Sequence, residues 1–180
     1  MWRSILQGLI WFILLIAIIA FLFLGVETLI SHPVIAAVTQ IEEAPGHMLY
    51  RSQHSLKDES GHAWQVVLFK QVHSTLEAQN DIVSLSLRLV GLPGAAEIAH
   101  PRTLKITTDT GKVFAAPDVF LQDAPAPTVG QYNFQEVGAQ LPIEALVLAI
   151  PLVDHPYVNL RVPQAVVREW QEVVAQAVSH

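Results

Sequence analysis

Four histidines open the question of chemistry: His47, His54, His62 and His73 all fall in or beside one predicted hairpin. Imidazole is the commonest side chain in metal sites and in proton transfer, so their mutual placement matters. If Leu56 pairs opposite His62, then His54 and His62 become diagonal neighbours on one face. Together with Asp58 or Glu59 they form a candidate metal site, though no compact His-x-His or His-x₃-His spacing supports it. The plainer reading is surface histidines plus one packed near Trp64.

Other reactive chemistry has less behind it. Serines are present, but no G-x-S-x-G elbow sets one on a strained strand-to-helix turn. Asp58, Glu59, Asp118 and Asp123 supply carboxylates without a spacing that assigns them roles. The glycines of "VGLPGAAE" match neither a dinucleotide fingerprint nor a phosphate-cradling loop. Without a cysteine there is no thiolate ligand, thiol nucleophile, disulfide or lipidated cysteine. The residues therefore nominate no catalytic group and no cofactor.

Binding has better candidates. "VFLQDAPAPTVGQYNF" joins Phe120, Tyr132 and Phe134 to prolines that restrict the loop at low entropic cost. These three aromatics are the expected partner-binding patch; the alternative is an ordinary loop whose rings fold back on the core.

The elements that position these residues read as mainly β. "MLYRSQHSL" and "HAWQVVLFKQVHS" flank the polar turn "KDESG". The paired register puts Met48, Tyr50, Leu56, Trp64, Val66 and Leu68 on one core face, with Val67 and Phe69 on the other. In "IVSLSLRLVGLPG", Leu85, Leu87 and Leu89 alternate with Ser84, Ser86 and Arg88. "RTLKITTDTGKVFAAP" is a second hairpin turning at "DTGK". Residues 121–133 read as a Pro and Gly loop that cannot continue a central strand. Phe134–Gln140 suggests a short helix, and "ALVLAIPLV" and "YVNLRV" two further strands. From Pro163, taken as the first helical residue, Val166, Val167, Trp170, Val173, Val174 and Ala177 recur at helical spacing. The expected fold is an α+β, mainly β domain: an antiparallel β-sandwich or partly open barrel of six to eight strands, closed by a C-terminal amphipathic helix.

Ahead of it, the uncharged run from Ser4 to Val26 is 23 residues long. At about 1.5 Å per residue it spans about 34 Å, enough for a bilayer core. Residues 1–30 are thus a hydrophobic helix, 31–46 a linker and 47–180 an exported domain. The run reads either as a permanent transmembrane anchor or as a signal peptide. Arg3 before an apolar stretch, then Pro33 and small residues at Val34–Ala37, fit a signal. The length of the run, with Trp2 and Trp11 at interfacial positions, fits an anchor. In both cases Arg3 stays cytoplasmic and the rest crosses.

Arg3 and Glu27 cancel, so the formal net charge of −6 belongs to the remainder. An acidic domain without a basic run lacks the charge to displace phosphate counterions, which argues against nucleic acid. The expected partners are the membrane, through the N-terminal helix, and a membrane protein; oligomeric state is not legible.

The phrases "EAPGHMLYRSQHSLKDESGHAWQVVLFKQ", "LRLVGLPGAAEIAHPRTLKITTDTGKVFAAPDVF", "VGQYNFQEV" and "AVVREWQEV" resemble a cyanobacterial family of exported proteins of unknown function. The resemblance covers about Glu43 to Val173 and implies no site residue. It implies a photosynthetic bacterium, and a domain in the periplasm or thylakoid lumen. The function expected from all of this is a membrane-tethered, non-catalytic interaction module, accessory to a membrane complex such as a photosynthetic one. A carrier of a small apolar ligand, lipid or pigment, is the alternative, and an enzyme without a recognisable motif comes third.

Overall fold

The computed structural model describes residues 38–44, 46–73, 82–121 and 124–176. The N-terminal apolar run and its cleavage or anchoring lie outside these residues. Among the described residues no helix is long and apolar enough to cross a membrane.

Alternation builds the sheets. In β2 (His47–Lys57), β3 (Ala63–His73) and β4 (Ile82–Gly91) alternate side chains turn inward, and these are apolar except for Ser52, His54 and Lys70, which face the C-terminal helix. Tyr50, Trp64, Val66, Leu68, Leu85, Leu87 and Leu89 are buried. Each such side chain taken out of water stabilises the fold by roughly 1.5–3 kcal/mol. With β1 (Thr39–Ala44) and β7 (Val129–Asn133) these strands make a five-stranded antiparallel sheet of order β1-β2-β3-β4-β7. A four-stranded antiparallel sheet, β6-β5-β8-β9, contains β5 (Leu104–Thr108), β6 (Val113–Ala116), β8 (Leu146–Ile150) and β9 (Val158–Val162). The sheets stay separate and do not close into a barrel; an isolated bridge at Asp58–Leu160 links the turn after β2 to β9, and another at Ile98–Leu152 pairs the segments after β4 and β8. Both contribute to one continuous core.

The four-residue α1 (Gln135–Gly138) follows β7, as "NFQEV" suggests. The amphipathic helix α2 (Gln164–Ala175) buries Val166, Val167, Trp170 and Val173, and Trp170 meets Phe134 edge to face at 5.9 Å. Pro163 is extended, one residue before the helix rather than its first residue, and its carbonyl accepts the Val166 and Val167 N–H groups at 3.0 and 3.2 Å. At the other end Lys70 Nζ donates to the Val174 and Gln176 carbonyls at 2.9 and 2.7 Å, placing a cation against the negative end of the helix. Burial pulls the Lys70 pKa below its ordinary value.

Three expectations need correction. Thr39–Ala44, read as linker, is an edge strand whose side chains are all exposed; with neither face buried, "TQIEEA" carries no alternation to detect. Val129–Asn133, read as loop, is the other edge strand, which Pro and Gly tolerate. These two additions make nine strands among the described residues instead of six to eight. Leu56 pairs with Trp64, not His62. The shift is two residues, so the core face survives unchanged, and the five-residue turn moves on by one, from 57–61 to 58–62.

Candidate functional site

That turn is organised by one carboxylate. Asp58 Oδ1 accepts the Ser60 and His62 backbone N–H groups, both at 2.9 Å, and Oδ2 accepts the Trp64 indole N–H at 2.8 Å. Gly61, at φ +87°, closes the turn by donating its N–H to the Asp58 carbonyl at 3.0 Å. The Asp58 side chain is 2% exposed, whereas His62 is 46% exposed, with Nδ1 3.6 Å from Oδ2. A buried carboxylate thus fixes a loop that leaves its histidine on the surface.

Two more loops meet this turn. Glu59 N–H donates to the Asn159 carbonyl at 3.0 Å, and Asn159 Nδ2 donates to Glu59 Oε2 at 3.0 Å, tying the turn to β9. Residues 92–97 approach from β4: a Cβ on Gly94 would stand 3.6 Å from His62 Cδ2. The Val153 N–H donates to the Glu97 carbonyl at 3.0 Å, joining residues 151–157 to the same group. Between the loops lies an open cleft of about 290 Å³, lined by Asp58, Glu59, His62, Gly94, His155 and Tyr157. The loops also expose apolar side chains: Leu92, Val153 at 60% and Tyr157 at 56%.

His54 is elsewhere, so the structure does not unite the candidate metal pair. His54 Nε2 donates to Glu169 Oε2 of α2 at 2.6 Å, and Ser52 Oγ donates to the same oxygen at 3.1 Å. Serine, histidine and carboxylate look like a nucleophilic triad, but the geometry is different. In a relay the imidazole stands between serine and acid, using both ring nitrogens. Here one nitrogen, Nε2, faces both, and the serine bonds directly to the acid. The cluster fastens α2 to β2. Among the described residues no three His, Cys, Asp or Glu side chains converge as metal ligands.

A second imidazole–carboxylate pair went unnoticed in the sequence. His100 Nδ1 donates to Asp118 Oδ2 at 2.6 Å; the side chains are 10% and 2% exposed. Asp118 also accepts the Phe120 and Arg102 backbone N–H groups at 3.0 and 3.3 Å. His100 Nε2 and the Tyr132 hydroxyl are buried without a hydrogen-bond partner among the described residues. Burial first, and the Asp118 charge second, push the Tyr132 phenol pKa well above its ordinary value. No spacing rule connects positions 100 and 118. Asp123 lies outside the described residues.

The expected aromatic patch is not displayed. Tyr132 and Phe134 are fully buried, and Phe120 is half-buried with its ring edge-on to His100 at 5.9 Å. The rings fold back because β7 turns Tyr132 inward opposite Leu87. The exposed apolar residues Val153 and Tyr157 were read as strand because "ALVLAIPLV" and "YVNLRV" continue the β-type composition. Pro151 and Pro156 are the signals that the chain leaves the sheet there.

Comparison with known proteins adds a family. A family described as "Protein of unknown function (DUF3122)" matches residues 36–173. No curated protein and no solved structure matches the chain.

Proposed function

The chain belongs to the DUF3122 family of proteins of unknown function, and from that footing we propose that it is a non-catalytic interaction module, exported and held at a membrane, which contacts a partner in a membrane complex through the three-loop cleft. The observation that carries this reading is the display of Leu92, Val153 and Tyr157 on the two loops that meet the turn fixed by the buried Asp58. Apolar side chains offered from a rigid base bind at low ordering cost. The uncharged N-terminal run with Arg3 before it supports the tether. Trp64, Leu68, Leu87 and Leu148 are fully buried between the sheets, which favours a surface contact over an apolar ligand carried inside.

Photocrosslinking in intact membranes tests the reading. A photoreactive residue at Val153 or Tyr157 of the full chain should give one discrete adduct, while one at Val113, exposed on β6, should give none. No adduct from the loop positions, or the same pattern from all three, overturns it. The first residue of the mature protein tests the tether: Met1 supports an anchor, Ala37 or Val38 refutes it.

A further inference from the structure

On the opposite face of the five-stranded sheet the pairing register sets two arginines around one phenylalanine. Arg51 stands across from Phe69 on one neighbouring strand, and Arg88 stands across from Val67 on the other. Leu49, Val67 and Phe69 are half-buried and, with the arginines and Gln131, line a shallow depression of about 250 Å³.

Arg88 is held in place. Its guanidinium carbon lies 5.4 Å from the Phe69 ring centroid, and its Nε and Nη2 both donate to Gln131 Oε1, at 3.0 and 2.5 Å. A neutral amide and an aromatic face orient the guanidinium without cancelling its charge. No described carboxylate lies within ion-pair distance of Arg88 or Arg51, including Glu43, which borders the same depression. A side chain whose rotamer freedom is already restricted loses less on binding. Two guanidiniums without acidic partners, on a chain of net charge −6, make a local site for anionic groups.

Spacing narrows the ligand. Two interstrand steps of about 4.8 Å and an offset of two residues place the arginine Cα atoms about 12 Å apart, with Phe69 between them. Leu49, Val67 and Phe69 line the depression between them, and a single carboxylate or phosphate would leave that apolar surface uncovered. In an extended peptide, side chains at i, i+2 and i+4 share a side, and the outer two are about 13 Å apart. We propose that this face docks an extended acidic segment of a partner protein, of the form Glu-x-Leu-x-Glu, with a carboxylate on each arginine and the apolar side chain on Phe69. This surface is separate from the three-loop cleft and does not depend on it.

The test titrates a fluorescent peptide, Ser-Glu-Ser-Leu-Ser-Glu-Ser, into the full chain in detergent micelles at low salt. Binding should weaken at least fivefold when both glutamates become glutamine, and at least fivefold in R51Q and in R88Q. R88K should also weaken it, because lysine lacks the planar fork, while K105Q on the other sheet should not change it. Equal binding of the neutral peptide, or wild-type binding by R51Q and R88Q, overturns the proposal. So does displacement of the peptide by an equal concentration of glycerol 3-phosphate, which would mark a site for a single anion.

Discussion

Asp58 and Asp118 do similar work with opposite results. Each side chain is 2% exposed, and each accepts three N–H groups. Each also has a histidine beside it. Asp58 uses its carboxylate on two backbone N–H groups and an indole, so His62 remains 3.6 Å away at the surface. Asp118 takes an imidazole N–H at 2.6 Å and draws His100 into the interior. The difference separates display from closure. Both carboxylates take two backbone N–H groups and differ in the third donor: an indole at Asp58 leaves the neighbouring histidine at the surface, whereas at Asp118 the imidazole is itself the third donor and is consumed.

Removing each carboxylate is the strongest way to break the comparison. Asp58→Ala should lower stability by about 3–4 kcal/mol in urea unfolding, since it strands the Trp64 indole N–H in the core. Asp118→Ala should cost about 3 kcal/mol by stranding His100 Nδ1. At a temperature where both variants are folded, crosslinking from Val153 should be lost in Asp58→Ala and kept in Asp118→Ala. Equal loss in both would mean that the cleft is not organised by Asp58 in particular.

Glycines sharpen the comparison at a smaller scale. A Cβ on Gly91 would lie 2.6 Å from Ala95 Cβ, 3.1 Å from Thr128 Cβ and 3.2 Å from Trp64 Cζ3. Gly91→Ala must therefore push the 92–97 loop outward, at about 2 kcal/mol. At Gly130 the new Cβ would meet Tyr132 Oη at 3.0 Å and Ile98 Cδ1 at 3.1 Å, side-chain atoms that yield more readily. Gly130→Ala should cost about 1 kcal/mol and leave the loop crosslink unchanged, with both values read from thermal unfolding. A larger loss for Gly130→Ala would place the tighter packing beside Asp118.

How far the sequence reached follows from what period-two patterns record. They record burial on one face, so β2, β3, β4 and β5 were legible, and even an incorrect turn register preserved the core face. The wholly exposed β1 left no such trace, and the prolines around β7 described the loop before it better than the strand itself. Site residues were harder. Asp58 and His62 share a turn and could be paired from sequence, but Asp118 reaches His100 only because β7 and the chain after β6 pack together. Glu169 reaches His54 only once α2 docks. Tertiary contacts of that kind have no local signal, and for the same reason Tyr132 and Phe134 looked available when they were core.

The subtlest test concerns the hydroxyl of Tyr132, which is buried without a hydrogen-bond partner among the described residues. Phenylalanine keeps the ring and removes only that oxygen, so Tyr132→Phe should change stability at pH 7 by no more than about 0.5 kcal/mol. Alkaline pH should separate the two proteins. Because burial and the Asp118 charge raise the phenol's pKa in the folded state, the native protein binds that proton more tightly than the unfolded chain does. Its contribution is therefore complete below pH 10 and lost as pH rises beyond, by up to about 1.4 kcal/mol per pH unit. Lys70, whose folded pKa is lowered by burial, titrates in the opposite sense but is common to both proteins and cancels. Urea unfolding between pH 9 and pH 11 should show the wild type losing stability faster than Tyr132→Phe. Parallel curves, or a loss above 2 kcal/mol at pH 7, would mean that the hydroxyl is bonded in solution. The region around Asp118 would then be open to a donor or acceptor, as the Asp58 loops are, and the contrast between display and closure would fail.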